Sequence, residues 1–134
     1  MTPVADARAL VRLIGAPVRI PTLAGGGVAS EWALVGSVED FHNRVGNRVG
    51  AYTLAIDLEG AALRVVGCAP MPGAGLGSSM QRVEGETVET WVGTEGSTTH
   101  VVVRRPELEL HVMGDVSFRR AIQLGLATEF LFPA

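Results

Sequence analysis

The sequence predicts an α+β fold: an antiparallel β meander of about six or seven strands, closed into a barrel or strongly curved, with a helix at each end. Apolar residues recur at helical spacing near both ends of the chain and at a spacing of two between them. The 134 residues include 17 glycines and 7 prolines, which is typical of a chain with many turns. We expect one globular domain over residues 1–134.

The first element is predicted to be an amphipathic helix. Thr2 offers a capping hydroxyl, and Pro3 has the fixed φ angle that suits a first helical turn. Gly15 and Pro17 are expected to end the helix. Its apolar stripe consists of Val4, Ala7, Leu10, Val11 and Ile14.

Segments typical of β-strands follow this helix. We predict an edge strand at 18–24, because Pro21 cannot donate a backbone hydrogen bond, and a second strand at 28–38. The clearest hairpin joins 51–58 to 61–68 through the turn sequence EG.

Within that hairpin the alternation of side chains predicts the register. Leu58 should lie opposite Ala61, and Ile56 opposite Leu63, so that the apolar side chains share one face. Cys68 then falls on the other face, where we interpret it as a small, partly buried apolar residue.

A second group of strands is predicted from 85–93 and from a hairpin at 98–114 around Arg105-Pro106. If Arg104 lies opposite Glu107, the valines of the first strand face the leucines of the second.

The spacing of apolar residues changes to a helical period after residue 114, with Ser117 or Asp115 as the expected N-cap. The apolar side of this C-terminal helix consists of Phe118, Ala121, Ile122 and Leu126.

Composition limits the classes of function. The net charge of −3 favours neither nucleic acid nor an anionic membrane as a partner. All 11 basic side chains are arginine, so no lysine is present for Schiff-base or phosphate chemistry, and this composition is typical of a GC-rich bacterium or phage. With one cysteine, no internal disulfide can form. We expect a cytoplasmic protein without a signal peptide, a membrane span or a cofactor.

The uncharged segment 69–81 contains several glycines and connects two predicted strands. Gly73 and Gly75 match the first two glycines of a dinucleotide fingerprint, but Ser78 stands at the position of the third. We therefore interpret the segment as a flexible arm or lid rather than a phosphate-binding loop. Its apolar contact residues would be Met71, Leu76 and Met80.

The predicted register around Arg105-Pro106 places His100 directly opposite His111 on the face away from the apolar residues. Glu89 and Trp91 can share this face if strand 85–93 pairs with the first strand of the hairpin. Two imidazoles near a carboxylate could bind a ligand, transfer a proton or hold a metal ion, although a clear third metal ligand is missing. No catalytic residue is assigned.

Two hypotheses of function follow. The preferred one is a non-enzymatic assembly, adaptor or partner-binding protein that associates with itself or another protein through the segment 69–81 and the apolar tail at Phe130, Leu131 and Phe132. The alternative is a small-molecule-binding protein, or a small acid–base or metal-assisted enzyme, with its site around His100 and His111.

Overall fold

The computed structural model describes residues 1–22, 29–42, 50–58, 60–70, 76 and 79–133. In chain order, the elements of these residues are β1 (Thr2–Val4), α1 (Ala7–Ile14), β2 (Val18–Pro21), β3 (Ala29–Val35), α2 (Val38–His42), β4 (Ala51–Leu58), β5 (Ala61–Cys68), β6 (Gln81–Arg82), β7 (Glu89–Glu95), β8 (Thr98–Arg104), β9 (Glu109–Gly114), α3 (Phe118–Leu126) and β10 (Thr128–Leu131). The chain is therefore α+β, as predicted.

Eight of these strands form one antiparallel sheet in the order β1-β3-β4-β5-β9-β8-β7-β6, and β10 pairs with β2 in a second, two-stranded sheet. The large sheet is open, with β1 and β6 at its edges, so the alternative of a closed barrel was wrong. The described part also has more strands than the six or seven predicted. The additional ones include β1, β6 and β10, which have only two to four residues each and are too short to show alternation.

The β4–β5 hairpin has the predicted register, with Leu58 opposite Ala61 and Ile56 opposite Leu63. Its apolar side chains contribute to the main core together with the buried side of α1. We call this side of the sheet the core face. Tyr52 lies on it, fully buried, and donates a hydrogen bond of 2.8 Å to the backbone carbonyl of Arg19 in β2.

The N-terminal helix starts later than predicted. Thr2 is not its cap, because Thr2–Val4 pairs with Trp32–Leu34 of β3 as a strand. Asp6 is the N-cap instead, and its carboxylate accepts a hydrogen bond of 2.8 Å from the backbone N–H of Ala9.

The C-terminal helix packs on the core face of β7, β8 and β9. Ser117 is its N-cap, as one of the two predicted candidates. Gly125 allows a close approach, because a Cβ atom there would lie 3.0 Å from a methyl group of Val103. Phe118, predicted on the apolar side, is 46% exposed.

All three described helices contact the core face or its flanking strands, which leaves the opposite face of the sheet without a described helix. Within the described ranges, no helix has both the length and the apolar character needed to cross a membrane.

Candidate functional site on the polar face

The β8–β9 hairpin is shifted by two residues from the predicted register. Arg104 lies opposite Glu109 rather than Glu107, and His100 lies opposite Met113 rather than His111. The reason is the length of the turn: the backbone N–H of Arg105 donates to the carbonyl of Leu108 at 2.9 Å, so residues 105–108 form the connection. Because the shift is an even number, each side chain stays on its predicted face.

The two histidines still meet, as diagonal rather than direct neighbours. His111 lies opposite Val102, two residues from His100 on the same face of β8. The ring centroids are 5.2 Å apart, and Nε2 of His100 lies 2.9 Å from Nδ1 of His111.

Strand β7 adds the other two predicted residues to this face. Glu89 lies opposite Arg104, and Trp91 lies opposite Val102. The indole N–H of Trp91 donates to Oε2 of Glu89 at 2.8 Å, and the Arg104 guanidinium donates to the same oxygen at 3.3 Å. Glu89, Trp91, His100 and His111 are therefore on one face, which we call the polar face.

The site set predicted from the sequence leaves out the central residue of this face, Glu109, which is only 4% exposed. It accepts a hydrogen bond of 2.6 Å from Nε of Arg104 and one of 2.8 Å from Nε2 of His111. Burial of Glu109 opposes its ionisation, but the bonds from His111 and Arg104 outweigh that effect, and the pKa of this carboxyl group is lowered.

These contacts join six side chains into one hydrogen-bonded series across β7, β8 and β9. We call it the polar chain; its members in order are Trp91, Glu89, Arg104, Glu109, His111 and His100. Val102 lies on the same face between the members and is fully buried, and Glu109 is buried, whereas the side chain of Glu89 is 36% exposed.

The charge of Glu109 determines which nitrogen atoms of His111 and His100 donate hydrogen bonds and which accept them. An ionised Glu109 can only accept, so His111 carries its proton on Nε2 and, when neutral, has a lone pair on Nδ1. His100 must then donate from Nε2, which leaves Nδ1 of His100 as a proton acceptor. Burial, and next the neighbouring His111, lower the pKa of His100, which favours the neutral form at pH 7.

Cys68 belongs to the same region. It lies opposite Glu109 across β5 and β9 and is 8% exposed. The ligand atoms of Cys68, Glu109 and His111 all lie within 4.8 Å of one another. Cys68 is thus buried, and it lies beside a carboxylate and an imidazole that the sequence analysis did not place next to it.

Only part of the glycine-rich segment is described, and Met71 lies outside that part. Leu76 and Met80 are partly buried. The backbone of Ser79 lies so near Gly93 that a Cβ atom there would overlap it, and the sulfur of Met80 would be 2.8 Å from that atom. Since Gly93 pairs with His100, the described end of the segment lies beside the polar chain.

The predicted apolar tail lies on β10 and just beyond it. Phe130 and Phe132 are 43% and 64% exposed, with ring centroids 6.4 Å apart. The guanidinium of Arg19 lies 4.3 Å from the centroid of the Phe130 ring. Leu131 instead packs against the main core.

Two described cavities lie elsewhere. One of about 310 Å³ is lined by residues of β1, β3, β4 and β5, including Glu31 and Arg64. The other, of about 360 Å³, lies near Asp115 and Arg120. Neither of these two cavities is lined by a member of the polar chain.

Comparisons with models of protein families, with curated proteins and with solved structures found no significant match.

Proposed function

We propose that this protein binds a small molecule at the polar face and that His100 accepts a proton from it. The observation that carries this proposal is the continuous series of contacts from His100 to His111 at 2.9 Å and from His111 to Glu109 at 2.8 Å. A carboxylate that orients one imidazole, which orients a second, is an arrangement suited to general base catalysis.

The charges of the polar chain support proton uptake. Glu89 and Glu109 carry two negative charges, and Arg104 carries one positive charge. A proton taken up at Nδ1 of His100 would compensate the remaining negative charge, and the nearby carboxylates of Glu95 and Glu109 would favour the imidazolium. The lowered pKa keeps His100 neutral before the ligand binds.

The same geometry limits the ligand. Trp91 is partly buried and offers a flat apolar surface beside Gly93, whereas His100 and His111 remain partly exposed. A small molecule with an O–H or N–H group next to an apolar part fits these neighbours.

A model ester provides a test without the natural ligand. We would measure hydrolysis of p-nitrophenyl acetate by the full chain in the presence of EDTA, so that no metal ion contributes. The wild-type protein should hydrolyse the ester faster than His100→Gln. His42→Gln serves as a matched control, because His42 is exposed, contacts the backbone carbonyl of Ile14 and is not a member of the polar chain. Equal rates for the wild type and His100→Gln, with both proteins folded by circular dichroism, would contradict the proposal.

Self-association is a second candidate, favoured by β10. Its only strand partner in the described part is β2, and Phe130 and Phe132 expose neighbouring rings that would be stabilised by a second copy. Native mass spectrometry should show a dimer or larger oligomer that becomes monomeric when Phe130 and Phe132 are both changed to Ser. Phe118→Ser, which removes a similarly exposed ring from α3, should leave the mass unchanged. A monomeric wild-type protein would refute self-association.

A further inference from the structure

We propose that Cys68, Glu109 and His111 form a site for a divalent transition-metal ion, with Zn²⁺ as the best fit. The site shares two residues with the polar chain but does not depend on proton uptake by His100.

The strand register brings the three ligands together. Cys68 and Glu109 are direct cross-strand partners, and His111 follows two residues later on the same face of β9. Their ligand atoms lie within 4.8 Å of one another. Tetrahedral zinc bound at about 2.0–2.3 Å requires roughly 3.3–3.8 Å between ligand atoms, so small side-chain rotations complete the site.

The outer atoms of two ligands are already held by other side chains. Oε1 of Glu109 accepts from Nε of Arg104 at 2.6 Å, which leaves Oε2 for the ion. Nδ1 of His111 contacts Nε2 of His100 at 2.9 Å, so the inner atom of His111 is Nε2. Oε2 of Glu109 and Nε2 of His111 are now 2.8 Å apart in a hydrogen bond, which the ion would replace. Such outer contacts orient metal ligands in proteins.

Binding of an ion moves the protons of the two histidines to other ring nitrogens and releases the proton of the thiol. The ion takes the place of the proton on Nε2 of His111, which then carries its proton on Nδ1 and donates it to Nε2 of His100. His100 in turn carries its proton on Nδ1, so both imidazoles stay neutral. The thiol of Cys68 releases its proton to solvent, because the thiolate is the ligand.

The donor set selects the class of ion. Thiolate and imidazole ligands suit zinc and related ions and do not suit Mg²⁺ or Ca²⁺. The charges of the Cys68 thiolate and the Glu109 carboxylate together match a divalent ion. Three protein ligands leave a fourth position for water or a small ligand, as in zinc sites that act on substrates.

Cobalt provides the test, because a Co²⁺–thiolate bond absorbs in the near ultraviolet. We would treat the full chain with EDTA, remove the chelator, titrate with Co²⁺ and then displace it with Zn²⁺. One ion per chain should bind with a thiolate-to-cobalt band. Cys68→Ser should lose the band, and His100→Gln should weaken binding by about 10–100-fold through loss of an outer contact. Glu129→Gln, which changes an exposed acid on β10 in the two-stranded sheet, should bind as the wild type does.

Reactivity of the native thiol tests the site without any variant. Zn²⁺ should protect Cys68 of the wild-type protein from a thiol-specific reagent, whereas Mg²⁺ should not. Absence of a thiolate band, or unchanged reactivity with Zn²⁺ present, would overturn the metal site. Because ester hydrolysis is measured in EDTA, its failure would refute proton uptake by His100 and leave this result unaffected.

Discussion

Two glutamates on either side of Leu108 form arginine contacts of equal length in different surroundings. Glu109 lies 2.6 Å from Nε of Arg104, and its side chain is 5% exposed. Glu107 lies 2.6 Å from Nε of Arg19, and its side chain is 40% exposed. Replacing each by glutamine keeps the shape of the side chain and removes one charge. The two variants therefore compare a buried carboxylate that accepts from Arg104 and His111 with an exposed one that accepts from Arg19.

The expected magnitudes differ severalfold. In Glu109→Gln the amide can accept from only one of the two donors, Arg104 or His111, and turns its own N–H groups toward the other. Charge-assisted hydrogen bonds contribute about 1.5–3 kcal/mol each, and breaking a buried ion pair costs about 3–5 kcal/mol. We expect Glu109→Gln to lower the free energy of unfolding by about 3 kcal/mol. Glu107→Gln should cost at most about 1 kcal/mol, because an exposed pair is well solvated.

Urea unfolding followed by tryptophan fluorescence measures both variants. The samples should contain EDTA, so that a bound metal ion does not add to the stability of the wild type. The slope with urea should be unchanged, which keeps the comparison within one two-state transition. Equal losses for Glu107→Gln and Glu109→Gln would refute the reasoning, since burial would then not decide the strength of the pair.

Three further predictions concern the core and α1. Burial raises the pKa of Tyr52 far above its ordinary value of about 10. The neutral Tyr52 side chain therefore contributes stability below pH 10, and this contribution is lost as the pH rises above 10. Because Tyr52 is the only tyrosine, near-ultraviolet absorbance should show no tyrosinate before unfolding; ionisation in the folded state would contradict its burial. Gly67→Ala should lower the free energy of unfolding in urea by about 2–3 kcal/mol, because the new Cβ atom would overlap the Tyr52 ring. An unchanged urea midpoint would argue against this contact. Asp6→Ala should lower the free energy of unfolding by about 1 kcal/mol, and Thr2→Ala should lower it by less. A larger loss for Thr2→Ala would indicate that Thr2, rather than Asp6, caps α1.

Local patterns predicted the β4–β5 hairpin because a two-residue turn and strict alternation determine the register between neighbouring segments. The β8–β9 register was wrong by two because Val103 can face either Leu108 or Leu110 with equal apolar character. The turn is formed by the backbone of Arg105 and Leu108, and side-chain patterns do not report that backbone contact.

The candidate site was only partly predictable for a topological reason. Glu89, Trp91, His100 and His111 lie on consecutive strands, so alternation alone places them on one face. Cys68 reaches Glu109 because β5 pairs with β9 although three strands intervene in the sequence. No local pattern specifies that pairing.

The polar chain also restricts how the strands can slide during folding. Val101 and Val103 of β8 would fit the core almost equally well after a slip of two residues. In the slipped register Arg104 would lie opposite Glu107 beside the turn, and Glu109 would lose its direct cross-strand guanidinium partner. This loss destabilises only the misaligned hairpin. Arg104 contacts carboxylates on both neighbouring strands, so its ion pairs favour the observed register at the centre of the sheet.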